Sequence, residues 1–179
     1  MTGTVKVWSP LVRFFHWGLV ASVAVAWFSS EGLRNVHEFV GYAAAGLIAL
    51  RLVLGLAGGR YARFRQFVRS PRETLAYLRD VLAHREARYI GHNPLGAVMV
   101  LFLLALIGGI ALTGWMQTTD AFWGVEWVEE THEAAVNVLL LAVTLHVLGV
   151  IHASRRHSEN LVQAMIIGRK RAPAGSDRA

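Results

Sequence analysis

At 179 residues, 54% hydrophobic and 17% charged, with a mean hydropathy of +0.41, the chain is too apolar for an ordinary soluble domain and too charged to be apolar throughout. Cysteine is absent, which excludes disulfides, iron–sulfur clusters and thiolate zinc sites. The net charge of +6 is not a nucleic-acid signature, because the arginines lie in connections beside long apolar runs.

Four apolar runs, over residues 11–29, 37–56, 94–116 and 131–153, are each near the ~20 residues that cross a ~30 Å hydrocarbon layer at about 1.5 Å per residue. The third contains no charge at all. The first reads as a retained span rather than a signal peptide, since Arg13 and His16 interrupt it and SSEGLRN lacks a small-x-small cleavage site. If the four cross in alternation, Lys6, Arg13, the run between Arg51 and Arg88 and the tail from Arg155 share one side. The opposite connections hold Arg34 beside Glu31, Glu38, Asp120, Glu126, Glu129, Glu130 and Glu133. This asymmetry predicts cytoplasmic termini and an acidic outer face, periplasmic in a bacterial inner membrane.

Within the long inner connection, Ser70-Pro71-x-Glu73 supplies an N-cap, a first-turn proline and a capping-box glutamate. Leu75, Leu78 and Leu82 recur at helical spacing, with Arg72, Arg79 and Arg85 for the polar side. An amphipathic helix on the inner leaflet is expected, with a short soluble helical hairpin as the competing form. Membrane-segment glycines such as Gly41, Gly46, Gly96, Gly108, Gly109 and Gly114 permit close approach of a neighbouring helix or a flat cofactor. Trp8, Trp17, Trp27, Trp115, Trp123 and Trp127 fall mainly near segment ends, as an interfacial belt requires.

Ionisable groups within a bilayer are costly unless paired or bound. His132 and His146 are 14 residues apart in the last span, about 21 Å along the axis and about 40° from alignment. His37 matches His132 in depth near the outer surface, and His16 matches His146 toward the inner one. Neutral imidazoles at two levels suit axial ligation of two haems, which would carry electrons through the bilayer. No close-spaced carboxylate or thiolate cluster favours zinc. His152 competes for the inner site, but it faces about 120° away from His146 on a helix. His84, His92 and His157 lie in or near inner connections, where interfacial or solvent-facing positions are expected.

Val7-Trp8-Ser9-Pro10, Arg13-Phe14-Phe15-His16-Trp17, His37-Glu38-x-x-Gly41-Tyr42 and Arg51 resemble the prokaryotic cytochrome b561 family, in particular its nickel–iron hydrogenase cytochrome b branch. The similarity continues through Phe64, Phe67, Pro71, Tyr77 and Arg88-Tyr89-x-Gly91-His92-Asn93-Pro94-Leu95-Gly96. It ends with Thr113-Gly114, Thr131-His132-Glu133, Leu145-His146-Val147 and Asn160-Leu161-Val162-x-Ala164-Met165-Ile166-x-Gly168, covering about residues 5 to 170.

The resemblance implies an all-α, four-transmembrane-helix haem-binding bundle over residues 1–170, followed by a flexible polar tail over 171–179. It implies a membrane cytochrome holding haem b and passing electrons between a quinone and a redox partner; the level-matched histidine pairs give the expectation of two haems per chain. That partner is a periplasmic cytochrome or a dehydrogenase- or hydrogenase-type subunit. By the same resemblance His16, His37, His132 and His146 are the haem ligands, with His152 still open at the inner site. Arg13 and Arg51, near the inner surface, are placed to neutralise haem propionates or to act as positive-inside anchors. Without a nucleophile or proton-abstracting constellation, the chain reads as an electron carrier rather than a stand-alone enzyme. The alternatives are a non-redox membrane anchor and a small transporter, the latter disfavoured by the lack of internal repeats.

Overall fold

The computed structural model describes residues 3–175, 177 and 178. In chain order the elements are β1 (Thr4–Lys6), α1 (Pro10–Ser29), α2 (Arg34–Ala57), α3 (Phe64–Phe67), α4 (Pro71–Leu82), α5 (Pro94–Met116), α6 (Glu126–Arg156), α7 (Leu161–Ile167) and β2 (Arg169–Arg171). Among the described residues, helices α1, α2, α5 and α6 are the four apolar elements long enough to cross a membrane, so the protein is an all-α, multi-pass membrane protein.

Two of these helices extend by several residues past their apolar runs. Helix α2 starts at Arg34, where Arg34 Nε donates to Glu38 Oε1 at 2.6 Å one turn on. Helix α6 has 31 residues, about 46 Å at the usual rise, and so exceeds the hydrocarbon thickness. It begins five residues before the apolar run because Val128, fully buried, already packs inside. Glu126 and Glu129 in its first turn favour the positive end of the helix dipole. Hydropathy alone misses such polar turns.

The chain divides into two compact units. One comprises Phe14–Leu52 and Phe102–Thr144. Its buried side chains include Phe15, Ala44, Ile48, Leu104, Ile107, Leu139 and Ala142. Phe28, Phe39, Leu112 and Leu141 are exposed on its surface, the pattern expected where the surrounding solvent is lipid. Two buried hydroxyls are satisfied within their own helices: Ser29 Oγ donates to the Val25 carbonyl at 2.7 Å, and Thr113 Oγ1 to that of Gly109 at 3.0 Å.

The other unit comprises Met1–Arg13, Val53–Leu101 and Leu145–Ala179. Here β1 pairs antiparallel with β2, with Thr4 opposite Arg171 and Lys6 opposite Arg169. The Gly168 carbonyl then accepts from the backbone N–H groups of Val7 and Trp8 at 2.9 and 3.2 Å. Gly168 ends α7 at φ +80°, and a Cβ there would lie 2.7 Å from the Trp8 carbonyl oxygen, so only glycine fits. A small core gathers Val7, Trp8, Val12, Ala62 and Ile90. Trp8, at 5% exposure, is therefore a core residue, whereas Trp17, Trp27, Trp115, Trp123 and Trp127 are exposed as an aromatic belt would be.

Helix α4 forms with the expected start. Ser70 Oγ accepts from the Glu73 N–H, the Glu73 carboxylate accepts from the Ser70 N–H at 3.0 Å, and Pro71 opens the helix. Tyr77 points inward while Leu75, Leu78 and Leu82 are exposed, which gives the amphipathic connecting helix read from the sequence. Burial, with the Glu86 carboxylate nearby, pushes the Tyr77 phenol above its ordinary range.

A buried ion-pair network closes this unit. Arg88 donates from Nη2 to Glu159 Oε1 at 2.6 Å and from Nε to Glu159 Oε2 at 3.2 Å, and from Nη1 to Asp177. Ile90 N–H donates to the Arg178 carbonyl at 2.9 Å, and Arg178 N–H to the Arg88 carbonyl at 2.8 Å. The segment after residue 170 thus carries Asp177 and Arg178 against residues 88–90.

Candidate functional site

The clearest grouping of chemistry-bearing side chains joins the first turn of α2 to the second turn of α6. His37 and His132 lie with their ring centroids 6.3 Å apart and their planes at 63°. Each ring is held through Nδ1. His37 Nδ1 is 2.9 Å from the Ala26 carbonyl, which can only accept, so Nδ1 carries the proton. His132 Nδ1 is 3.0 Å from Thr113 Oγ1, whose own proton is directed to the Gly109 and Ile110 carbonyls at 3.0 and 3.1 Å. The hydroxyl therefore accepts from His132. Both imidazoles are set as Nδ1–H tautomers, leaving Nε2 of each with its lone pair. This is the arrangement by which proteins aim a metal-ligating histidine.

Backbone size matters next to His132. A Cβ on Gly114 would lie 3.2 Å from His132 Cε1, a crowded contact that any larger side chain would worsen. At Gly41, one turn after His37, a Cβ would meet no protein atom within 4 Å, and the same holds at Gly46. Among the six glycines expected to permit close approach, Gly114 is the one that abuts a site residue. Thr113 and the Ala26 carbonyl are hydrogen-bond partners of the two rings that sequence reasoning missed. The Thr113-Gly114 pair, 19 and 18 residues before His132, was visible only as a motif.

The remaining expected residues are placed as follows. His16 is half-buried and meets Trp17 edge-on, centroids 5.0 Å apart. His146 is half-buried on α6. Arg51 is 3% exposed. Arg13 is half-buried, and its Nε is buried with no hydrogen-bond partner among the described residues. The Arg13 side chain lies by α7's end, where a Cβ on Gly168 would be 3.1 Å from Nη1.

His152 is elsewhere. It is 49% exposed at the side chain, with Nε2 3.7 Å from Glu86 Oε1. His92, expected at an interface or in solvent, is packed between Trp8 and Phe67 at centroid distances of 4.8 and 4.6 Å. Among the described residues, no group of three or more His, Asp or Glu side chains gathers as a metal cage. The histidine grouping is a pair.

The family model for prokaryotic cytochrome b561 matches residues 7–168. The chain belongs to the prokaryotic cytochrome b561 family. It is a membrane electron-transfer cytochrome, and its membership implies haem b. No curated protein and no solved structure matches it.

Proposed function

We propose that this b561-family cytochrome is di-haem and passes electrons between the membrane quinone pool and a redox partner protein. In this reading His37 and His132 ligate one haem, and His16 and His146 the other. The observation that carries it is the His37–His132 pair. Their ring centroids are 6.3 Å apart, and with each Nδ1 held by the protein both rings would offer Nε2 to a haem iron. Small residues at Gly41 and Gly46 leave α2 without side-chain bulk where a macrocycle needs room.

Haem b, when bound, supplies reversible one-electron storage. The chain does the rest. Thr113 and the Ala26 carbonyl hold the two rings in the ligating tautomer. Arg13, whose buried Nε has no hydrogen-bond partner among the described residues, has an N–H to offer a propionate carboxylate, and Arg51 supplies a second buried cation. For the inner ligand, His146 is favoured over His152 because His152 is exposed and turned toward Glu86.

The charge asymmetry supports an inner-membrane location with both termini cytoplasmic. Glu126, Glu129, Glu130 and Glu133 form one exposed stripe on the first two turns of α6. Such a stripe steers a basic redox partner toward the outer face. The test is quantitative haem and iron per polypeptide, read with the pyridine haemochrome and reduced-minus-oxidised spectra. The reading expects two haems per chain. A reproducible value of one in fully loaded protein rejects the di-haem form, and no Soret band favours a membrane anchor.

A further inference from the structure

A shallow groove of about 530 Å³ runs along the last two turns of α6, lined by Leu148, Ile151, His152, Arg155 and Arg156. Leu148, Ile151 and Arg155 lie about 140–200° around the helix from His146, so the groove is on the face turned away from the proposed ligand. Its two ends differ in chemistry. Leu148 and Ile151 are exposed and apolar, and one turn further on the helix becomes cationic.

The cationic end is organised from behind. Glu86, with a side chain 2% exposed, accepts from Arg156 Nε at 3.1 Å. Arg156 Nη2 donates to the His84 carbonyl, at the left-handed residue that follows α4. These two bonds fix the Arg156 guanidinium and leave Nη1 to offer. Arg155 is exposed and makes no ion pair among the described residues. The buried Glu86 carboxylate balances one arginine, so the cluster keeps a net positive charge. Burial alone would raise the Glu86 pKa, but a backbone hydrogen bond and Arg156 hold it below the ordinary carboxylate range.

The neighbouring helix fixes the depth. Through the His84 carbonyl, Arg156 is tied to the end of α4, whose Leu75, Leu78 and Leu82 stripe is exposed, flanked by exposed Arg72 and Arg79. An exposed leucine stripe edged by arginines is the pattern of a helix seated at the lipid–water boundary. Arg155 and Arg156 therefore stand at headgroup level, with Leu148 and Ile151 reaching into the acyl region.

We propose that this groove is a binding site for one anionic phospholipid, its phosphodiester held by Arg155 and Arg156 Nη1 and an acyl chain lying on Leu148 and Ile151. Lipid rather than free phosphate is the occupant because the groove joins the cations to apolar surface. The site is built from residues outside the histidine pair and does not depend on the haem count.

The test is native mass spectrometry of the purified full chain, titrated in detergent with phosphatidylglycerol or phosphatidylcholine. The wild type should retain one phosphatidylglycerol per chain in preference to phosphatidylcholine. Arg155→Gln should cut that retention about tenfold, the scale of one lost charge-assisted contact. Arg60→Gln, which removes an exposed charge from another part of the same unit, should match the wild type. Equal retention of both lipids, or equal losses in the two variants, would overturn the site. Displacement of the lipid by millimolar inorganic phosphate would overturn the choice of occupant. Since the Arg155 side chain makes no hydrogen bond or ion pair among the described residues, a normal circular dichroism spectrum and elution volume are expected for its variant.

Discussion

Thr113 Oγ1 stands 3.0 Å from His132 Nδ1 while its proton is spent on the carbonyls of its own helix. The hydroxyl has only a lone pair to present to the ring. A helix that bends its threonine back on itself thus dictates which nitrogen of the next histidine carries a proton. The partner ring receives the same instruction from the bare Ala26 carbonyl. Exchange of Thr113 for valine keeps the shape and removes the acceptor. Haem affinity at the His37–His132 site should fall roughly 10–100-fold, the usual cost of losing such an orienting partner. Haem titration of the stripped protein checks this, and the other site should load as in the wild type.

The two candidate inner ligands separate cleanly in a substitution test. His146→Ala should lose one haem's optical and EPR signature and leave the His37–His132 site loaded. His152→Ala should keep both signatures, because His152 is half-exposed and near Glu86. Loss of one haem in the second variant instead would transfer the ligand role.

Much of this was legible in the sequence because membrane physics writes in long words. Twenty apolar residues announce a crossing, and Ser70-Pro71-x-Glu73 announces a helix start, through purely local rules. The depth match of His37 with His132 followed from counting residues. The Ala26 carbonyl did not, since a backbone acceptor carries no residue code and becomes visible only when α1 and α2 are side by side. Trp8 misled for the opposite reason. A tryptophan near a span's end fits a lipid belt on composition, but this one is claimed by a core assembled from residues up to 82 positions away, at Ile90. The cap network was equally hidden, because Arg88, Glu159 and Asp177 look like ordinary solvated charges in a linear reading.

Lys170 gives the protein a pH signature. It is 6% exposed, its Nζ is 3.5 Å from the Tyr89 and Gly91 carbonyls, and burial pushes its pKa down to about 8. With the folded value below the ordinary lysine value, the unfolded chain binds more protons between about pH 8 and 10.5, so stability rises with pH across that window. From pH 7.5 to 9.5 the gain should be on the order of 2 kcal/mol, seen as a rising Tm in detergent. Lys170→Met should flatten the rise. An unchanged slope in that variant would assign the effect to another group.

Arg88 is the keystone of the ion-pair network, its side chain 4% exposed against two nearly buried carboxylates. Arg88→Gln leaves Glu159 and Asp177 buried without their cation and should cost about 3–5 kcal/mol. Differential scanning calorimetry in detergent reads the loss. Acidification should partly rescue the variant relative to wild type. Burial alone would raise the Glu159 pKa, but the Arg88 hydrogen bond holds it below the ordinary range, and without Arg88 its protonation becomes a relief.

The β1–β2 ladder carries a statement about parity and about time. Thr4 beside Arg171 puts the first and last strands on one face of the membrane, so the number of crossings between them is even, whichever way the charges point. Residue 4 leaves the ribosome long before residue 171, so β1 has no mate until every helix has been delivered to the bilayer. The ladder is the last clasp to shut. A chain that skipped one crossing would leave β1 and β2 on opposite faces with their edges unpaired, and proteases guarding either compartment would meet two loose ends in place of a closed cap.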